Sequence, residues 1–251
     1  MERQVKKLRD RTGNQLLHHA YSTKQPTKKK FVTAITRPIK MLVKSPVVLA
    51  TSIYVGLVYG YTYLLFTSFG TLFPQVYGFS QSSTGLAYLG FGIGCSIALL
   101  SFGAVSDRLT AHLSLAGEWK PEHRLPPLIP GSLIIPIGLF WYGWSAQAKI
   151  HWIMPIIGSG WVAFGTLAVF TPIQTYLIDA FPLHAASAAA ANTVFRSLTG
   201  AFLPLAGPKM YESLGQGWGN SLLAFIALAF TPIVWILIRY GERIRIACPV
   251  D

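Results

Sequence analysis

Acidic residues are scarce in this sequence of 251 residues, with nine Asp and Glu against 21 Lys and Arg. Charge of either sign makes up only 12% of the chain, while 52% is hydrophobic, well away from the roughly one quarter charged usual in soluble domains. Water is therefore not the main solvent of this chain. Cysteine is nearly absent: Cys95 sits in an apolar run and Cys248 in the tail, which leaves no disulfide framework. The six histidines lie mainly in the amino-terminal arm or at predicted span edges, without metal-ligand spacing to Cys or carboxylates, so neither a metal nor a cofactor is expected. Asp107 and Asp179 lie at the ends of different predicted spans and form no catalytic carboxylate pair legible from sequence, and the chain is not read as an enzyme. No cleavable signal peptide is expected, because the first apolar run follows a long polar segment and is itself long enough to span. The final Cys248-Pro-Val-Asp251 matches a prenylation box only superficially, since Pro249 is not aliphatic.

The charge that is present is segregated. Residues 1–44 hold twelve of the 21 basic residues, whereas residues 45–106 contain no Lys, Arg, Asp or Glu. A nucleic-acid binder would interleave its basic groups over a folded soluble domain to meet successive phosphates, so nucleic acid is not an expected partner despite the net charge of +12. The lipid bilayer is. A crossing helix needs about 20 mostly apolar residues, because the hydrocarbon core is about 30 Å thick and each helical residue rises about 1.5 Å. Six segments meet this test: 47–73, 84–105, 125–147, 152–178, 185–208 and 220–238. The expected architecture is all-α and polytopic, with a basic arm over 1–45, a six-helix bundle over 46–240 and a short tail over 241–251.

Short loops that stay in the cytoplasm are enriched in Lys and Arg. The arm, the loop after the second span with Arg108, Lys120 and Arg124, and the tail with Arg239, Arg243 and Arg245 share one side if six spans alternate. The opposite loops carry only Lys149 and Lys209, which predicts both termini in the cytoplasm. Gly90-xxx-Gly94 and neighbouring small residues permit close backbone approach in lipid, read here as contact within one bundle in preference to a homodimer seam.

Arg196 is the only charge inside a predicted span. If its helix starts near Ala185, Arg196 lies at about half the hydrocarbon depth and needs a partner or a wet cavity, and Asp179 is the partner candidate. If the helix starts nearer Ala190, Arg196 snorkels to the interface beside Asp179. Tyr54, Tyr61, Trp161, Gln174, Asn192 and Phe195 supply aromatic faces and isolated hydrogen-bonding groups suited to an amphipathic organic ligand, with interfacial anchoring and helix packing as the plainer alternative.

Gly103-Ala-Val-Ser-Asp107-Arg108 at the cytoplasmic end of the second span resembles the Gly-xxx-Asp-Arg signature of the major facilitator superfamily. The following Pro121-Glu122-His-Arg124-Leu-Pro126 resembles an element of fungal drug:proton antiporters. Pro136-Ile-Gly138-Leu-Phe140-Trp141, Gln174-Thr-Tyr176-Leu-Ile-Asp179 and Gly215-Gln-Gly217-Trp218-Gly219-Asn220 follow in the family's order, and Leu8-Arg9-Asp10-Arg11-Thr12-Gly13 resembles its central loop. The resemblance implies one carboxy-terminal half, six helices, of a twelve-helix transporter, with Gly103, Asp107 and Arg108 at the cytoplasmic gate. After Asp107-Arg108 the chain supplies only His112 where the family often places more basic residues. The resemblance further implies efflux of small organic substrates such as drugs, toxins or secondary metabolites across the plasma membrane, coupled to protons. The partner expected is an amino-terminal six-helix half. By the family pattern Met1 falls just after the junction, as an internal start codon, a truncated gene copy or a split gene would produce. The alternative is a non-transporting membrane fragment that binds or regulates a full-length relative.

Overall fold

A computed structural model of the chain describes residues 27–115 and 120–248, with side chains described over 35–101 and 120–248. The central-loop resemblance at Leu8 to Gly13 lies outside the described residues. The chain divides into two compact units, residues 1–37 and 38–251. Within the first, the described backbone is helical, the start of α1 (Thr27–Lys44).

In the second unit every regular element among the described residues is helical. The main helices are α2 (Pro46–Tyr77), α3 (Gln81–Leu115), α4 (Leu128–Gln147), α5 (Ile153–Ala180) and α6 (Ala185–Ala247), with a 3-10 turn at Pro121–Arg124. Local chemistry sets the first boundary. Ser45 caps α2 by accepting from the Val48 amide at 3.4 Å, and Pro46 sits in the first turn, where a missing N–H costs nothing. Gly78 ends α2 at φ +67°, a left-handed cap that sends the Phe79 amide back to the Phe73 carbonyl at 3.2 Å.

Among the described residues, five helical runs are long and apolar enough to cross a membrane. The fifth, α6, has 63 residues, roughly 95 Å if straight, about three times the hydrocarbon thickness. It is not straight. Gly215 adopts φ 72° and ψ 175°, a backbone region essentially reserved for glycine, and splits α6 into arms over 185–214 and 216–247. Tyr211 Oη donates to Asn220 Oδ1 at 3.2 Å, and a Cβ on Gly219 would stand 2.9 Å from Tyr211 Cδ1, so the chain doubles back between them. Each arm exceeds the about 20 residues of a crossing, and the six expected passes are present. The structure is that of a multi-pass membrane protein.

The helices lie closer than side-chain packing alone would allow. A Cβ on Gly94 would fall on the Gly160 carbonyl oxygen, and one on Gly90 would meet the Ile156 carbonyl oxygen at 2.7 Å. Gly90-xxx-Gly94 thus seats α3 directly on α5 inside one bundle, as expected. Gly138 approaches the Val162 amide in the same way, at 2.7 Å, to join α4 to α5. The first arm of α6 packs along α2, where Thr199 Oγ1 donates to the Gly56 carbonyl at 2.8 Å and Leu203 covers Gly60. Its second arm packs on α4, with Asn220 against Gly143.

Two boundaries differ from the sequence reading. The second span was expected to give way to a loop at Ser106, but α3 continues through Asp107 and Arg108 to Leu115. Apolarity marks where a helix leaves the hydrocarbon, and backbone hydrogen bonds carry it on into water. The expected tail likewise remains helical to Ala247.

Candidate functional site

Arg196 is the centre of the site. Counting 46 to 59, 170 to 180 and 185 to 196, Tyr59, Phe170 and Arg196 lie 13, 10 and 11 residues from the helix ends that alternating passes place on one side. At about 1.5 Å per residue that is roughly 15–20 Å, or near half depth. The helix begins at Ala185, the start on which the deeper of the two expected geometries was conditioned. Arg196 Nη1 donates to Tyr59 Oη at 2.9 Å. Its guanidinium carbon stands 4.3 Å from the Tyr59 ring centroid and 5.0 Å from that of Phe170, and the two rings are 6.0 Å apart. Attraction to two ring faces in a weakly hydrated setting is worth up to about 2 kcal/mol and offsets part of the cost of a buried charge.

The expected Arg196–Asp179 pair is replaced by two separate arrangements. Asp179 accepts from Arg124 Nε at 3.1 Å, with both side chains 24% exposed. Asp179 sits one residue before the end of α5, beside the turn that carries Arg124, and Arg196 lies too far up the first arm of α6 to compete.

That turn anchors a second cluster. Glu122, its side chain 8% exposed, accepts at Oε1 from Arg245 Nε at 3.2 Å and from Tyr176 Oη at 3.4 Å. Lys120 Nζ donates to Glu242 Oε2 at 2.8 Å. The 3-10 turn is thereby tied to the end of α5 and to the last turns of α6. The sequence places Glu122 within a motif without indicating a partner, and Arg245 reads there as a topology charge. The proline-flanked acid at Glu122 was the available signal.

The remaining expected site residues fall into four groups. Tyr54 and Tyr61 are buried in the bundle core, at 3% and 1% exposure, and Phe195 packs on Gly56, so these serve helix packing. Trp161 is 43% exposed and contacts Phe164 at 6.4 Å between centroids, and Gln174 is half-buried on α5. Asn192 is 1% exposed, and neither of its amide atoms has a hydrogen-bond partner among the described residues. Gly103, Asp107 and Arg108 lie within α3, with side chains outside the described set. Phe170, which completes the arginine site, was not anticipated, because no periodicity separates a cation-facing ring from a packing one.

A six-pass helical bundle with backbone-close glycine seams, and with an arginine seated against two aromatic rings, defines a polytopic membrane protein. The sequence model of the Major Facilitator Superfamily matches residues 15–204, and the chain belongs to that family. It is 54% identical over 98% of its length to the MFS-type transporter penM of Penicillium rubens, covering 48% of that protein. It is 52% identical to the MFS transporter cpaT of Aspergillus oryzae, over 98% of this chain and 50% of the relative. With the MFS-type transporter tndD of Aspergillus flavipes the identity is 51%, over 98% of this chain and 47% of the relative. The chain spans about half the length of the curated relatives it matches.

Proposed function

We propose that this chain is the carboxy-terminal half of a proton-coupled exporter of small organic compounds, working in the plasma membrane with both termini in the cytoplasm. The observation that carries the reading is the mid-depth site on α2, α5 and α6: in secondary transporters substrate sites lie near the bilayer midplane between opposed repeats. The opposed wall comes from an amino-terminal six-helix half. The relatives' names and the half-length match support the same reading.

Reconstitution tests it. Purified chain alone in liposomes with an imposed proton gradient accumulates neither fluorescein nor rhodamine 6G, whereas a fusion to the amino-terminal half of the Penicillium rubens relative accumulates at least one of them. An inactive fusion overturns the exporter reading, and gradient-driven uptake by the chain alone removes the need for a second half.

Asp107 serves as a gate residue in this scheme and carries no proton. In the fusion, Asp107→Asn lowers turnover about tenfold with substrate affinity nearly unchanged, and Asp107→Glu is tolerated better. Equal losses of binding and turnover would move Asp107 into the substrate site.

A further inference from the structure

Among the described residues, Arg196 is a cation without a counter-ion. It makes no ion pair among the described residues, and Asp179, the partner expected from the sequence, is taken by Arg124. A guanidinium has five N–H donors in a fixed planar fork. One meets Tyr59 Oη, and the remaining four have no protein acceptor among the described residues. An intramembrane arginine left in this state is costly, and such residues mark substrate or ion pathways.

Its surroundings narrow what completes it. Asn192 lies four residues before Arg196, one turn away on the same helix face, fully buried and with no partner for its amide among the described residues. On the other flank Tyr59 is followed by Tyr63, 6.0 Å away between centroids and 45% exposed, and then by Phe66 at 6.1 Å from Tyr63. A planar fork of free donors therefore stands at one end of an accessible aromatic ladder, with a spare amide behind it.

We propose that Arg196, held by Tyr59 and Phe170 and backed by Asn192, recognises the carboxylate of an aromatic organic anion whose ring system lies along Tyr59, Tyr63 and Phe66. The proposal rests on the exporter reading and names the substrate class of its site. A carboxylate matches the fork in a bidentate manner that no neutral group reproduces. A neutral ligand of the same shape leaves donors unpaired at depth, and an organic cation meets like charge in a medium that screens it poorly.

Binding of two probes to the 251-residue chain in phosphatidylcholine nanodiscs, at neutral pH and without any gradient, tests the assignment. The chain is expected to bind 2-naphthoate about tenfold more tightly than the isosteric 2-naphthamide. Arg196→Gln abolishes that preference while leaving the weaker amide binding, and Arg196→Lys keeps part of it. Asn192→Ala, which removes an amide with no hydrogen-bond partner among the described residues, weakens 2-naphthoate alone. Equal affinity for both probes, no binding of either, or a preference that survives Arg196→Gln overturns the proposal. Equal affinity in a chain whose fusion still transports sinks only the substrate class. A naphthoate preference in a chain whose fusion transports nothing sinks only the exporter reading.

Discussion

Gly94→Leu leaves little or no monodisperse protein after solubilisation, while Gly92→Ala, two residues away on the same helix, gives yields at or above those of the unmodified chain. The difference is geometric. A Cβ at position 94 falls on the Gly160 carbonyl oxygen, a backbone atom that moves only if α3 and α5 separate, and Gly90 one turn earlier is in equal contact with Ile156. In lipid no hydrophobic force holds helices together, so the dispersion gained from such close approach carries much of the association. Overpacking by a methyl group costs about 1–3 kcal/mol, and leucine adds three further carbons to the same contact. At Gly92 a Cβ meets nothing within 4 Å, and replacing a helical glycine by alanine gains up to about 1 kcal/mol in backbone entropy. Size-exclusion profiles and thermal melts in detergent read both variants. Similar behaviour of the two would show that the α3–α5 seam is not what holds α3 in place.

Arg245→Ala destabilises the chain by about 3 kcal/mol, and adding Glu122→Gln to it restores part of the loss. The reversal of sign in the double variant is the discriminating result. Removing the guanidinium strands a buried carboxylate with only the Tyr176 hydroxyl at 3.4 Å, and its Oε2 already has no partner among the described residues. Neutralising Glu122 then removes the uncompensated charge. Glu122→Gln alone costs less, about 1 kcal/mol, because the Arg245 side chain is 24% exposed and its head can turn to water. Thermal unfolding monitored by near-ultraviolet circular dichroism measures all three variants. If the double variant melts below Arg245→Ala, the two residues stabilise the fold independently and Glu122 does not depend on Arg245 for its charge.

The passes were legible because hydration is local. The free energy of moving a run such as 47–73 or 152–178 out of water sums over its own residues, so segments declared themselves with no knowledge of their neighbours. Glycine spacing was legible for a related reason, since Gly90 and Gly94 can only be useful where another backbone arrives. The extent of α3 was not, because Asp107 and Arg108 end the apolar run without ending the helix. Nor was the arginine-facing ring, because Phe170 resembles every other apolar residue of α5 until Arg196 is seen beside it.

By itself, then, the sequence determined the solvent, the six crossings and the family resemblance, all of which follow from composition and order along one chain. Tertiary structure alone decided the partners. Asp179 is only 17 residues from Arg196 (179 to 196), yet it pairs with Arg124, and Arg196 turns instead to Tyr59, which is 137 residues away in sequence. A charge in a membrane takes the partner that helix rotation and depth bring within reach. Those are set by where backbones touch, at Gly90, Gly94 and Gly138, and by the reversal at Gly215, not by proximity along the chain.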